Sequence, residues 1–314
     1  MAFELTIFIF GGIIIESKEM NKMFLKDKMH YDKDQTGIIT EEMVKKVNRI
    51  FKKKQRSVPA KPSPDRKERI KIIGDVRYHR KFFSAHLENK RDIIVWLPPS
   101  YKEDSKRNYP VLYMQDGQNI MDPKTSYVGL DWRVDETLTK LIGQKKIQEI
   151  IVVGIYNTKE RLEEYSDTEK GRGYIKFIIK ELKPFIDSGY RTLTSRENTA
   201  IMGSSMGGFI SFLITWNHPE VFSKAGCMSS AFYYHDDKAI KMVKDYSGPK
   251  KNIKIYLDHG EDGLLRGQKM FCALTKKGYI IGTDIDYYYA PGAEHNEKAW
   301  ADRLERPLLF FFKK

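Results

Sequence analysis

Thr199-Ala-Ile-Met-Gly203-Ser-Ser205-Met-Gly207-Gly208-Phe-Ile-Ser-Phe-Leu213 decides how the rest of the chain is read. The apolar run Ala200-Ile201-Met202 predicts a buried strand. Phe209, Ile210, Phe212 and Leu213 predict a helix that follows at once. Between them Gly203-Ser204-Ser205-Met206-Gly207 fits G-x-S-x-G, and strand, Gly-flanked serine, helix is the context of a nucleophile elbow. So tight a turn strains its nucleophile's backbone and leaves room only for small neighbours. Glycine is therefore needed at 203 and 207, and Gly208 lets the helix approach the strand. The helix N-terminus directs free N–H groups and a positive dipole end at the Ser205 oxygen. Ser205 is the candidate nucleophile; the plainer alternative is a Gly/Ser turn without chemistry.

A serine hydroxyl is a poor nucleophile unless a base takes its proton and a third group holds that base. In elbow-type hydrolases the acid follows the nucleophile and the histidine comes last. Ile253–Leu257 predicts a strand running into Asp258-His259-Gly260-Glu261-Asp262-Gly263. Asp284–Tyr289 predicts another, running into Ala290-Pro-Gly-Ala-Glu-His295-Asn296. Loops after parallel strands leave the sheet on one side, so Ser205, a carboxylate and His295 can converge. His295 is the expected general base. Asp262 is the expected acid, ahead of Glu261 and Asp258, since some of these carboxylates must cap the next helix. The six other histidines form no pair at metal-ligand spacing on one predicted helix, so neither a metal site nor a cofactor is expected.

Along the chain, strands are predicted at 76–83, 91–97, 109–114, 149–155, 225–229 and in the three segments already named. Helices are predicted at 135–142, 173–186, 264–277 and from Ala299 onward, with 233–251 read as a cap insertion. Strands alternating with helices specify an α/β fold, a mostly parallel sheet with helices on both faces. The catalytic domain is expected to span 71–314.

Three stretches together resemble the "Putative esterase" family of α/β-hydrolases. They are Tyr113-Met-Gln-Asp116-Gly117-Gln118-Asn119-Ile-Met-Asp122, the elbow Met202–Gly208, and Pro291-Gly-Ala-Glu-His295-Asn-Glu-Lys-Ala-Trp300. That family contains feruloyl and acetyl-xylan esterases, siderophore esterases and S-formylglutathione hydrolases. The resemblance covers about 75–314 and implies the α/β-hydrolase fold, ester hydrolysis through an acyl-enzyme, and an oxyanion hole built from the N–H groups of Gln118 and Met206. It implies a small-molecule or glycan ester as substrate. Asp116 and Asn119 either bind that substrate or hold the oxyanion loop in shape. Glu164 and Tyr165, in the loop Arg161-Leu-Glu-Glu164-Tyr165, and Trp300 are further substrate-binding candidates. An acyltransferase using the same triad is the rival among enzymes; a non-catalytic binding module is the rival of another class.

Residues 1–70 match nothing in the family and are expected to form a small helical extension. Asp32, Asp34, Thr36, Gly37 and Ile39 resemble positions 1, 3, 5, 6 and 8 of an EF-hand loop, but Met43 stands at position 12 where the bidentate Glu belongs. Calcium is therefore not expected. Val58-Pro-Ala-Lys-Pro62-Ser-Pro64 reads as a linker in a Lys/Arg-dense tract. The net charge of +13 raises the question of a nucleic-acid partner. Phe51 alone among those basic residues offers no stacking platform, so a solvated tether is the better reading. The apolar N-terminus is short, carries Glu4 and lacks a basic n-region, so neither a signal peptide nor a membrane span is expected and the protein is read as cytoplasmic. Cys227 and Cys272 are too few for a disulfide framework and are read as buried free thiols.

Overall fold

Val111-Leu-Tyr-Met-Gln115, Ile151–Ile155 and Thr199–Ser204 are buried at every position, the pattern of strands covered on both faces. The computed structural model describes residues 71–261 and 264–314, and two short N-terminal strands. The latter, β1 (Ile7–Phe10) and β2 (Ile13–Glu16), pair antiparallel with each other. The expected helical extension, the calcium-like loop, the basic linker and Asp262 lie outside the described residues.

The main sheet contains β3 (Asp75–Ser84), β4 (Asn89–Leu97), β5 (Val111–Gln115), β6 (Ile151–Ile155), β7 (Thr199–Ser204), β8 (Lys224–Met228), β9 (Lys254–His259) and β10 (Ile285–Tyr289). Their spatial order is β10-β9-β8-β7-β5-β6-β4-β3. The hairpin β3–β4 is antiparallel, β4 pairs antiparallel with β6, and every other neighbouring pair is parallel. This is the α/β-hydrolase sheet. Side chains alternate between its faces: Val111 and Tyr113 join Ile151 and Val153 on one side, while Leu112 and Met114 join Val152 on the other.

The helices, in chain order, are α1 (Val134–Gly143), α2 (Arg161–Glu164), α3 (Glu169–Lys176), α4 (Lys183–Gly189), α5 (Met206–Asn217), α6 (Tyr234–Asp245), α7 (Leu264–Lys276), α8 (Glu297–Ala301) and α9 (Glu305–Phe312). A π-type turn over Phe177–Leu182 joins α3 to α4. The first face of the sheet is covered by side chains such as Tyr174, Phe209, Ile240 and Phe271. The second is covered by Leu138, Leu141, Leu304 and Leu308. The segment read as a cap insertion is corrected here. Its helix α6 puts Ala239, Ile240 and Val243 into the main core and lies beside α7, as a crossover helix does. Cys227 and Cys272 are buried free thiols. Among the described residues no helix is long and apolar enough to cross a membrane.

Helix α5 comes so near β7 that glycine is the only side chain the junction admits. A Cβ at Gly203 would stand 2.7 Å from the Gly207 carbonyl carbon and 2.9 Å from Gln115 Cβ, separations real side chains essentially never show. We expect Gly203→Ala to lower stability by about 1–3 kcal/mol through overpacking. Gly189, with no atom within 4 Å of such a Cβ, is the control. Gly189→Ala should leave stability unchanged or slightly raised. Urea denaturation of the two variants checks the contrast.

Candidate active site

Ser205 is the last residue before α5 and sits at φ 54°, ψ −122°, a backbone region that side chains avoid. It is held there from both sides. Its N–H donates to the Met228 carbonyl at 2.9 Å, and its own carbonyl accepts from Ala231 at 3.0 Å and Phe209 at 3.1 Å. β8 and the turn after it thus fix the serine from the neighbouring strand. The side chain is half-buried at the C-terminal edge of the sheet, above the N-terminus of a helix of twelve residues. Met206 is the first residue of that helix, so its N–H has no partner within the helix.

β5 lies beside β7, and the turn after it, Gly117–Asn119, occupies the same edge. In that short 3-10 turn the Asn119 N–H closes onto the Asp116 carbonyl at 2.9 Å, which leaves Gln118 among the turn's N-terminal donors. Asp116 precedes it in left-handed backbone, φ 55°, ψ 49°. Two oxyanion-donor candidates thus stand on the ends of adjacent parallel strands.

Of the two readings for Asp116, its contacts are those of a loop anchor. Its carboxylate is buried and accepts two parallel bonds from Arg161, Nε to Oδ1 at 2.7 Å and Nη2 to Oδ2 at 2.8 Å. Asn157 Nδ2 adds a third at 2.6 Å. Burial pulls the Arg161 pKa down, but the bonds and charge of Asp116 outweigh it, and the guanidinium stays firmly charged. Glu164 and Tyr165, expected as substrate-binding candidates, are both wholly buried. Glu164 pairs with Arg91 of β4, Oε1 to Nη2 at 2.7 Å and Oε2 to Nη1 at 3.1 Å, with both side chains fully enclosed. The Tyr165 hydroxyl accepts the Asp116 N–H at 3.3 Å. Burial, with Asp116 adding to it, raises the Tyr165 pKa well above that of an ordinary phenol, so it stays neutral.

Asn119 is buried too, accepting the Tyr127 N–H at 3.0 Å and reaching Glu297 Oε1 at 3.4 Å. Glu297 is a site residue that the sequence reading did not single out. It sits two places beyond His295, in the first turn of α8, and burial together with the charge of Asp116 raises its carboxyl pKa. Its position in the quoted Pro291–Trp300 stretch was the available signal. Arg161 was passed over because its partner lies on another strand end.

His295 is exposed and stands edge-on to Trp300, ring centroids 5.1 Å apart at 84°. Trp300 in turn is buried against Trp132 at 5.6 Å. It therefore backs the histidine, and its burial leaves little surface for a substrate. The histidine loop is joined to the carboxylate loop after β9: Ala290 N–H donates to the His259 carbonyl at 2.8 Å, and Glu261 N–H to Ala293 at 3.3 Å. Asp258 is buried on Arg303, with the Ser229 N–H and the Tyr256 hydroxyl also donating to it, each at 3.0 Å. The Glu261 carboxylate accepts from the Tyr289 hydroxyl and, at 3.4 Å, from the Gly292 N–H. Elsewhere, Asp131, Asp135 and Glu136 bring carboxylate oxygens within 4.8 Å of one another. They take bonds from the Arg133 N–H, the Ile73 N–H and the Arg133 side chain respectively.

Comparison with known proteins agrees with this architecture. The chain is 25% identical over 255 residues to YbbA of Bacillus subtilis (strain 168), an uncharacterized protein, covering 74% of this chain and 96% of that one. It is 31% identical over 241 residues to an endo-1,4-beta-xylanase/feruloyl esterase of Xylanibacter ruminicola, covering 74% of this chain but only 31% of that longer protein. A solved ferulic acid esterase shares the fold, with a TM-score of 0.63 at 23% identity over 76% of this chain and 98% of its own. The family described as Putative esterase matches residues 84–311, and the chain belongs to it.

Proposed function

We propose that this esterase-family member is a serine carboxylesterase in which Ser205 attacks the ester carbonyl and His295 takes its proton. Asp262 orients the imidazole, the Gln118 and Met206 N–H groups receive the tetrahedral oxyanion, and water releases the acid. Membership of the family supplies the reaction class, ester hydrolysis. The observation that carries the serine mechanism is the strained backbone of Ser205, set between β7 and α5 and held by β8. Strain of this kind costs about 1–3 kcal/mol and persists only where the surroundings enforce it. A turn without chemistry has no need of it. The assignment of Asp262 is supported by its neighbours, because Asp258 is engaged by Arg303 and Glu261 by Tyr289 and Gly292.

The substrate reading is an ester with an apolar or aromatic acyl group, such as a feruloylated or acetylated sugar or a siderophore ester. The segments after β5, β6 and β8 carry Tyr127, Leu162 and Tyr233, all more than half exposed, around the end of the sheet where Ser205 lies. Exposed large apolar side chains on segments that leave the same edge of the sheet are suited to holding such an ester. Similarity to the Xylanibacter ruminicola endo-1,4-beta-xylanase/feruloyl esterase points the same way.

Ser205→Ala should abolish hydrolysis of p-nitrophenyl acetate while the protein stays folded, because loss of a nucleophile commonly costs several orders of magnitude. Ser204→Ala, one residue out of frame and buried in β7, should be far milder. Near-normal turnover in a folded Ser205→Ala protein would refute the mechanism. A panel of feruloyl, acetyl and catecholate esters ranks the substrates by kcat/KM.

Of the carboxylates after β9, Asp262→Asn should reduce kcat most, since an amide cannot stabilise the imidazolium that forms. Glu261→Gln should act mainly on the stability of the histidine loop. Comparing kcat with the thermal midpoint for each separates the two roles, and a larger kcat loss in Glu261→Gln would move the acid to that residue.

A further inference from the structure

We propose that Arg161 is a positioning residue for the oxyanion turn, clamping Asp116 and through it the Gln118 N–H. The inference rests on the serine-esterase reading above and names what sets one of its two oxyanion donors. The turn after β5 is bolted to the segment after β6 at several points. Arg161 grips both oxygens of Asp116, at 2.7 and 2.8 Å. Asn157 Nδ2 binds Oδ1 at 2.6 Å, and the Asn157 N–H donates to Gln118 Oε1 at 3.2 Å. The Tyr165 hydroxyl accepts the Asp116 N–H at 3.3 Å, and the Arg161 guanidinium lies 5.0 Å from the centre of the Tyr165 ring.

The clamp also reaches the elbow. A Cβ at Gly207 would stand 3.1 Å from Asp116 Oδ2, so the carboxylate rests against the first turn of α5. One charged group therefore meets both strands that present oxyanion donors. Asp116 holds a left-handed conformation that a non-glycine residue adopts only under constraint, and Gln118 follows it by two residues. Release of the carboxylate would let this turn relax and move the Gln118 N–H. A guanidinium matches both carboxylate oxygens at once, and an ammonium cannot. Charge alone should not replace Arg161.

The test uses Arg161→Met, Arg161→Lys and Asn157→Ala with a neutral ester, p-nitrophenyl acetate. Each is also titrated with two reversible inhibitors, a trifluoromethyl ketone that forms a tetrahedral adduct on the serine and the matching methyl ketone that does not. Removing an oxyanion donor costs about 10²–10³ in kcat, so displacing one should cost about 10–100-fold in Arg161→Met, with KM changed less than about threefold. The trifluoromethyl ketone should weaken by the same factor as kcat, while the methyl ketone holds within about threefold. Arg161→Lys should recover only part of the loss. Asn157→Ala should show the same pattern more weakly, and it carries the test if Arg161→Met does not fold. Unchanged kcat in a folded Arg161→Met protein would overturn the proposal. So would a loss borne by KM with both ketones weakened alike, since that marks a direct substrate contact. Fluorophosphonate labelling of the wild-type protein separates this from the underlying reading. An unlabelled Ser205 overturns both, whereas a labelled Ser205 with insensitive Arg161 variants overturns the clamp alone.

Discussion

The end of the sheet depends on one close approach, that of α5 to the junction of β7 and β5. Gly203 faces Gly207 and Gln115 at separations that no Cβ could occupy. With the helix so near, Ser205 has no room for an ordinary backbone conformation and is driven to positive φ. The cost is met by bonds from β8 and the turn beyond it, through the Met228 carbonyl and the Ala231 N–H. Strand order then does the rest. Because β5, β7, β8, β9 and β10 run parallel, everything that follows them in sequence arrives at the same edge.

A second layer of control is electrostatic. The segment after β6 contributes two charges to interior pairs: Glu164 to Arg91 of β4, and Arg161 to Asp116 after β5. Burying ions is costly, and an apolar pair of the same volume is often equally stable. What such pairs supply is direction. A carboxylate gripped by a guanidinium fork fixes the loop that carries it in distance and in orientation, which a hydrophobic contact does not. Asn119 and Glu297 extend the same polar network to the helix behind His295. The loops at this edge are thus held by charges bound to one another, while Ser205 is half-buried and His295 exposed.

The order of strands and helices was legible in the sequence because parallel strands read as unbroken apolar runs and the helices between them as periodic ones. The elbow was legible for a different reason: its glycines are demanded by contacts local to the motif. Asp116 shows the limit. The sequence placed it beside the expected oxyanion donors but could not tell a substrate ligand from a loop anchor, because its partner Arg161 is 45 residues away on another strand end. The burial of Glu164 and Tyr165 was hidden for the same reason, as a polar loop segment gives no sign that its side chains turn inward toward Arg91 and Asp116. The 233–251 stretch looked like a cap because its lysines and aspartates hide the spacing of Ala239, Ile240 and Val243. Those three buried residues, with Tyr234 and Met242 packed beside them, seat the helix on the core.

The exposure of the site bears on the choice between hydrolysis and acyl transfer. In both reactions the histidine must activate an acceptor on the open side of the acyl-enzyme. A transferase has to keep water away from that position, or hold its acceptor there at a very high effective concentration. Exclusion needs a wall, and here His295 is exposed, edge-on to the buried Trp300. The large exposed apolar groups Tyr127, Leu162 and Tyr233 come from three separate segments after three different strands. Such a rim can grip one face of an acyl group without closing over the imidazole. Under the proposed mechanism, an exposed His295 leaves water a route to the imidazole once the alcohol departs, which supports hydrolysis over transfer. Under the same proposal, substrate selection falls to the rim. The residues beneath it are already committed to one another, and only side chains that stand free can adapt to the group that the ester carries.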